Sequence, residues 1–165
     1  MDLNLQHKLS TTYIVDCYGE DGFLKWTEST PNIVVNEGVA YLFDTAFIKT
    51  EPLDWFAGLV KTGEGVATDT MKDHTFAEWL GWVNVKRPLL TFEPCDPRTS
   101  LESVKTRPVT FTSGTTDTIT GAFMTTSEKK DDYSGQLYGV TSFRKSHDLI
   151  PGDSISMSII IGARQ

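Results

Sequence analysis

Residues 154–162 alternate: Ile155, Met157, Ile159 and Ile161 fall on one side, and Ser154, Ser156, Ser158 and Ile160 on the other. A side-chain period of two marks a β-strand with one face in a core. A lone strand cannot satisfy its own backbone N–H and C=O groups, so this segment commits the chain to a sheet. Residue usage agrees. Threonine occurs 22 times and serine 12 times, concentrated after Thr91 where helix formers are sparse. Threonine is β-branched and suits a pleated surface.

The rest of the chain reads the same way. Residues 11–18 and 23–27, joined by Gly19-Glu20-Asp21-Gly22, predict a β-hairpin, with a short edge strand at 33–35 after Pro31. Residues 54–62 carry apolar side chains on both faces, as a strand covered on both sides would. Further strands are expected at 82–86, 109–113, 118–126 (Ile119, Gly121 and Phe123 on one face), 135–144 and 154–162. Residues 91–105 and 128–134 read as loops, and 147–153 as a turn ending in Pro151-Gly152-Asp153. One helix stands out: Asn36 as N-cap, Glu37 in the first turn, then Val39, Leu42, Phe43, Ala46 and Phe47 as a core-facing stripe ended by Pro52. Residues 71–80 are expected to form one or two short helical turns. The fold class is therefore mainly β: an antiparallel β-sandwich, jelly-roll-like or immunoglobulin-like, with one amphipathic helix and short helical turns in connections. The chain of 165 residues reads as an N-terminal arm, 1–10, and one domain, 11–165.

Catalytic constellations do not emerge. His7, His74 and His147 fall in the arm and in predicted loops, and none has a second His or Cys at metal-ligand spacing. His74 is the one to watch, because Trp79 and Trp82 lie nearby in sequence. There is no GxSxG elbow, and Gly63-Glu64-Gly65 lacks the lysine and helix of a phosphate loop. Glu20-Asp21 and Asp131-Asp132 are acidic pairs that could hold calcium or act as acid and base, but in hairpin loops such charge keeps a tip solvated. Trp55, Trp79 and Trp82 with Phe76 suit either a core or an aromatic platform for sugars or bases. Cys17 and Cys95 read as free thiols, with a bridge between them as the alternative. No catalytic residue, metal or cofactor is expected, and the chain is read as not an enzyme.

Charge and hydropathy narrow the partners. The formal net charge of −7 disfavours direct nucleic-acid binding, which needs basic side chains to displace counterions. No apolar run approaches the roughly 20 residues of a membrane helix, and residues 1–10 are polar with no secretory h-region. Within that arm, Leu3, Leu5 and Leu9 are the apolar anchors, and Leu3 and Leu5 alternate as an added strand would. They are candidate interface residues.

Several short segments occur in a telling order: Asn36-Glu37-Gly38 before the helix; Trp55 and Gly58-Leu59-Val60; Asp69-Thr70-Met71 with His74 and a downstream Trp; Arg87-Pro88 then Leu90-Thr91-Phe92; Val109-Thr110-Phe111; Ile119-Thr120-Gly121-Ala122-Phe123; Gly135-Gln136-Leu137-Tyr138; and Gly152-Asp153-Ser154-Ile155. In this order the chain resembles a family of small structural proteins of tailed bacteriophages, over roughly residues 36–162. The resemblance implies a jelly-roll or related sandwich and a virion component assembled in the bacterial cytoplasm. It implies a capsid decoration, or cement, protein that binds the major capsid protein and itself, as a closed cyclic oligomer such as a trimer. A tail, fibre or host-attachment module binding glycan through exposed tryptophans is the alternative, and a small-molecule binder using the sandwich interior is a third.

Overall fold

The computed structural model describes residues 8–48, 51–94 and 103–164. Among them the chain is mainly β, with two antiparallel sheets and one short helix. The alternating segment is strand β10, Ser154–Arg164, in the middle of the first sheet. On one side it pairs with β1, Lys8–Tyr18, whose hairpin partner β2, Leu24–Pro31, forms the edge. On the other side it pairs with β6, Ser103–Lys105, and then with β7, Val109–Thr112. Pro108 has no N–H to donate, and the ladder breaks beside it. Thr106 bridges the gap by donating its N–H to Ile159 O and accepting the Ile159 N–H at Oγ1, each at 2.9 Å.

The second sheet runs β3, β9, β8, β4, β5. Its strands are β3, Ile33–Val34; β4, Phe56–Thr62; β5, Ala77–Glu78; β8, Asp117–Thr125; and β9, Leu137–Leu149. Tyr13, Val15, Cys17, Ile155, Met157 and Ile159 of the first sheet share one core with Ala57, Leu59, Ile119, Met124 and Phe143 of the second. The other face of the second sheet is also covered. Val60, Phe123, Leu137 and Val140 pack there against Met71 and Phe76 of the connection between β4 and β5. Strand β4 is thus buried on both faces, as its sequence implies.

Several expectations need correction. Ile119 and Phe123 do not share a face: a bulge between Ile119 and Gly121 shifts the parity of β8, so Ile119 enters the shared core and Phe123 the second cluster. Residues 71–80 contain bends and β5 but no helical turn, because side chains take the backbone N–H groups. Asp69 accepts Val66 N–H and Thr75 N–H, and Glu37 accepts Met71 N–H. Residues 82–86 make only isolated bridges, Trp82 to Ser113 and Lys86 to Lys129. Residues 103–105, read as loop, are β6, and β9 extends five residues past the expected end, so that His147 lies in a strand.

Helix α1, Asn36–Phe43, starts where expected, but Asn36 is its first residue rather than its cap, and a π-helical turn, Asp44–Ile48, follows. Its buried residues are Gly38 and Tyr41, not Phe43 or Phe47. Gly38 sets this rotation. A Cβ there would lie within 3 Å of the Tyr138 backbone, so the helix can rest directly on β9 only through a glycine. Leu42 is half-buried against the shared core, whereas Phe43 and Phe47 point to solvent.

Candidate interaction surface

The buried polar side chains hold the long connections in place. Residues 79–92 form a strap along the open edge of β4. Its ends are fixed by Trp79 N–H to Leu59 O, Leu90 N–H to Trp55 O and Ala57 N–H to Pro88 O. Arg87 turns inward from the strap and grips Glu78 of β5 through two parallel hydrogen bonds, Nε to Oε1 and Nη2 to Oε2. Its Nη1 donates to Ser127 O at 2.7 Å, and Glu78 Oε2 accepts Asp131 N–H. Strap, β5 and the loop between β8 and β9 are thereby tied at one point. Glu37 does the same for α1, accepting Met71 N–H and Leu137 N–H.

The sequence candidates for chemistry are placed differently from their expected settings. His147 is buried in β9, with Nε2 2.8 Å from Glu28 Oε1 of β2 and the ring stacked on Trp26 at a centroid distance of 3.9 Å. This contact joins the two sheets. His74 stacks on Phe76 and meets Tyr133 edge-on, and its Nδ1 lies 2.7 Å from Phe76 O, so its aromatic neighbours are not Trp79 and Trp82. Glu20 and Asp21 are exposed, and Asp21 accepts Phe23 N–H at the hairpin tip. Asp131 accepts the Tyr133 hydroxyl, which pushes that phenol up to about 12. Hydrogen bonds from Ser134 hold the Asp132 carboxyl below the usual range. Cys17 is a free, buried thiol, and burial with the nearby Asp153 carboxylate pushes it up to about 11. His7 and Cys95 lie outside the described residues. Among the described residues no group of three or more His, Cys, Asp or Glu is arranged to hold a metal ion, and no helix is long and apolar enough to cross a membrane.

Trp55, Trp79, Trp82 and Phe76 do not form an aromatic platform at the surface. Trp79 and Trp82 are buried and packed on each other, and Trp82 meets Phe111 edge-on. Lys130 caps the group, with Nζ over the Trp82 ring at 4.2 Å, and burial lowers its pKa. Trp26 and Trp55 are half-buried against the same core. An open hollow of about 630 Å3 between the β1–β2 and β9–β10 turns is lined by Gly19, Glu20, Asp21, Phe23, Lys25, Ile150 and Asp153, where Lys25 is neutralised by Asp153 at 2.6 Å.

Large apolar side chains lie outside instead. Val83 and Val85 project from the middle of the strap at 60% and 86% exposure, flanked by exposed Leu80 and Leu89. The backbone beneath is pinned on both sides, by Val83 N–H to Thr112 O and Arg87 N–H to Glu128 O. A second apolar face lies at the end of the helical segment: Phe43, Phe47 at 77% exposure, Ile48 and Leu53. Exposed apolar groups gathered in this way mark interaction sites more often than isolated ones do. Of the three candidate interface leucines, Leu9 is in β1 opposite Ala163 and is partly exposed, while Leu3 and Leu5 lie outside the described residues. The strand therefore begins inside the segment read as an arm. No protein family, curated protein or solved structure matches the chain.

Proposed function

We propose that the chain is a non-enzymatic structural protein of a phage virion, a decoration protein that binds the head shell through rigid apolar surfaces on a jelly-roll-like β-sandwich. The observation that carries this reading is the strap. Arg87 is spent internally, Lys86 is paired with Glu128, the tryptophans are core, and the valines are held outward on a fixed backbone. A rigid exposed apolar pair loses little conformational entropy on docking. An acidic body keeps the free protein soluble until the shell is available.

Co-sedimentation with undecorated capsids tests the reading. Wild-type protein should pellet with the shells, and Val83→Asp/Val85→Asp should bind at least tenfold more weakly while keeping its melting temperature. Undiminished binding by the double variant would remove the strap from the interface. Electron microscopy of particles should place density on the head; density on the tail or fibres would assign the chain there instead.

A further inference from the structure

The apolar face at the end of the helical segment has an occupant within the sequence itself. We propose that Phe43, Phe47, Ile48 and Leu53 form the docking site for residues 1–7 of a second copy of this chain, which inserts Leu3 and Leu5.

Position comes first. Thr11, the fourth residue of β1, is linked to the border of this face through four successive contacts. Thr11 Oγ1 is 3.1 Å from the Tyr138 hydroxyl, Tyr138 meets Trp55 edge-on at 5.7 Å, and Trp55 meets Tyr41 edge-on at 5.1 Å. The Tyr41 hydroxyl then accepts the Leu53 N–H at 2.6 Å, at the border of the exposed face. Reach comes next. Seven residues in extended form span at most about 25 Å, enough to cross from the start of β1 to the same face of a neighbour packed at this end.

Direction favours the neighbour over the chain's own face. β2 ends opposite Thr12, so Lys8–Ser10 continue beyond it, paired only with Gly162–Arg164 of β10. The described start of the chain therefore lies beyond the end of β2, on a two-stranded ribbon. Charge agrees. The described rim of the apolar face is acidic, with Asp44, Glu51 and Asp54 exposed. Bringing two such faces together would bring these carboxylates together. Residues 1–8 offer two leucines, His7 and Lys8 against a single carboxylate, Asp2.

The inference rests on the reading of the chain as a self-associating subunit, but not on the shell. A complementation experiment separates the two. Three proteins are compared by sedimentation velocity: wild type, a variant lacking residues 2–7, and Phe43→Ser/Phe47→Ser. Both substituted side chains are exposed, so folding is retained and is checked by thermal unfolding. Wild type should be oligomeric, and each variant alone should associate at least tenfold more weakly. An equimolar mixture should regain association, because one protein supplies the segment and the other the intact face. Variants that assemble like wild type would overturn the docking site and leave self-association standing. A mixture no better than its parts, with stronger binding of an apolar dye by the truncated protein, would place the segment on its own chain and overturn the exchange. Monomeric wild type would overturn both the exchange and the self-associating reading.

Discussion

Arg87 and Glu78 meet as two parallel forks, Nε to Oε1 at 2.8 Å and Nη2 to Oε2 at 2.7 Å, with both side chains shut off from water. Removing one partner of a buried pair strands the other charge and costs about 3–5 kcal/mol, whereas replacing both with apolar groups of similar size is often neutral. Arg87→Met and Glu78→Leu should each lose stability on that scale, and the double variant should lose less than either. Urea unfolding of the four proteins measures the cycle; additive losses would show that the two side chains act independently.

The pair shows where sequence reasoning stopped. Alternation at Ile155, Met157 and Ile159 and two-faced burial at 57–60 were legible, because each depends on local period and on coverage by whatever packs above. The Arg87–Glu78 fork was not, since nothing local says that a charged strap residue turns inward. The irregularity at Ile119–Gly121 was equally hidden: β8 advances two residues while β9 runs from His147 to Ser142, and the faces of β8 swap without any change in its composition. Among the candidate site residues, His147 went unrecognised as a core group because its partner, Glu28, is 119 positions away.

Helix α1 supplies a second test. Phe43 and Phe47 fit a helical stripe in sequence, yet the face that packs is set by Gly38 against the Tyr138 backbone. Gly38→Ala should destabilise by about 1–3 kcal/mol, since the neighbour is backbone and cannot move aside cheaply. Thermal unfolding reads this directly, and an unchanged midpoint would mean that the helix is free to shift.

The same rotation separates two aromatic residues six positions apart. Tyr41→Ala should cost about 3 kcal/mol, because it empties a buried site beside Trp55. Phe47→Ala should stay within about 0.5 kcal/mol. Comparable losses from both would restore the stripe that the sequence suggests.

Cys17 gives a pH prediction. The folded thiol sits at about 11, against about 8.5 in an unfolded chain. Between those values the folded state holds a proton that the unfolded state has released. The contribution is therefore intact below about pH 8.5 and is lost as pH rises toward 11. In a Cys95→Ser background, the melting temperature should fall more between pH 8 and 10.5 with Cys17 present than in Cys17→Ala. In the same Cys95→Ser background the folded protein should also resist thiol reagents at pH 7.5, and rapid labelling there would contradict the burial of Cys17.

Strand β10 has an implication for how the protein is made. It is the middle of the first sheet, with β1 on one side and β6 and β7 on the other. The ribosome must therefore synthesise some 140 residues after β1 before that strand has its neighbour. Until then Tyr13, Val15 and the β1–β2 hairpin wait with one edge unpaired, open to strands of other nascent chains. A stop codon just before Ser154 would leave that sheet without its centre.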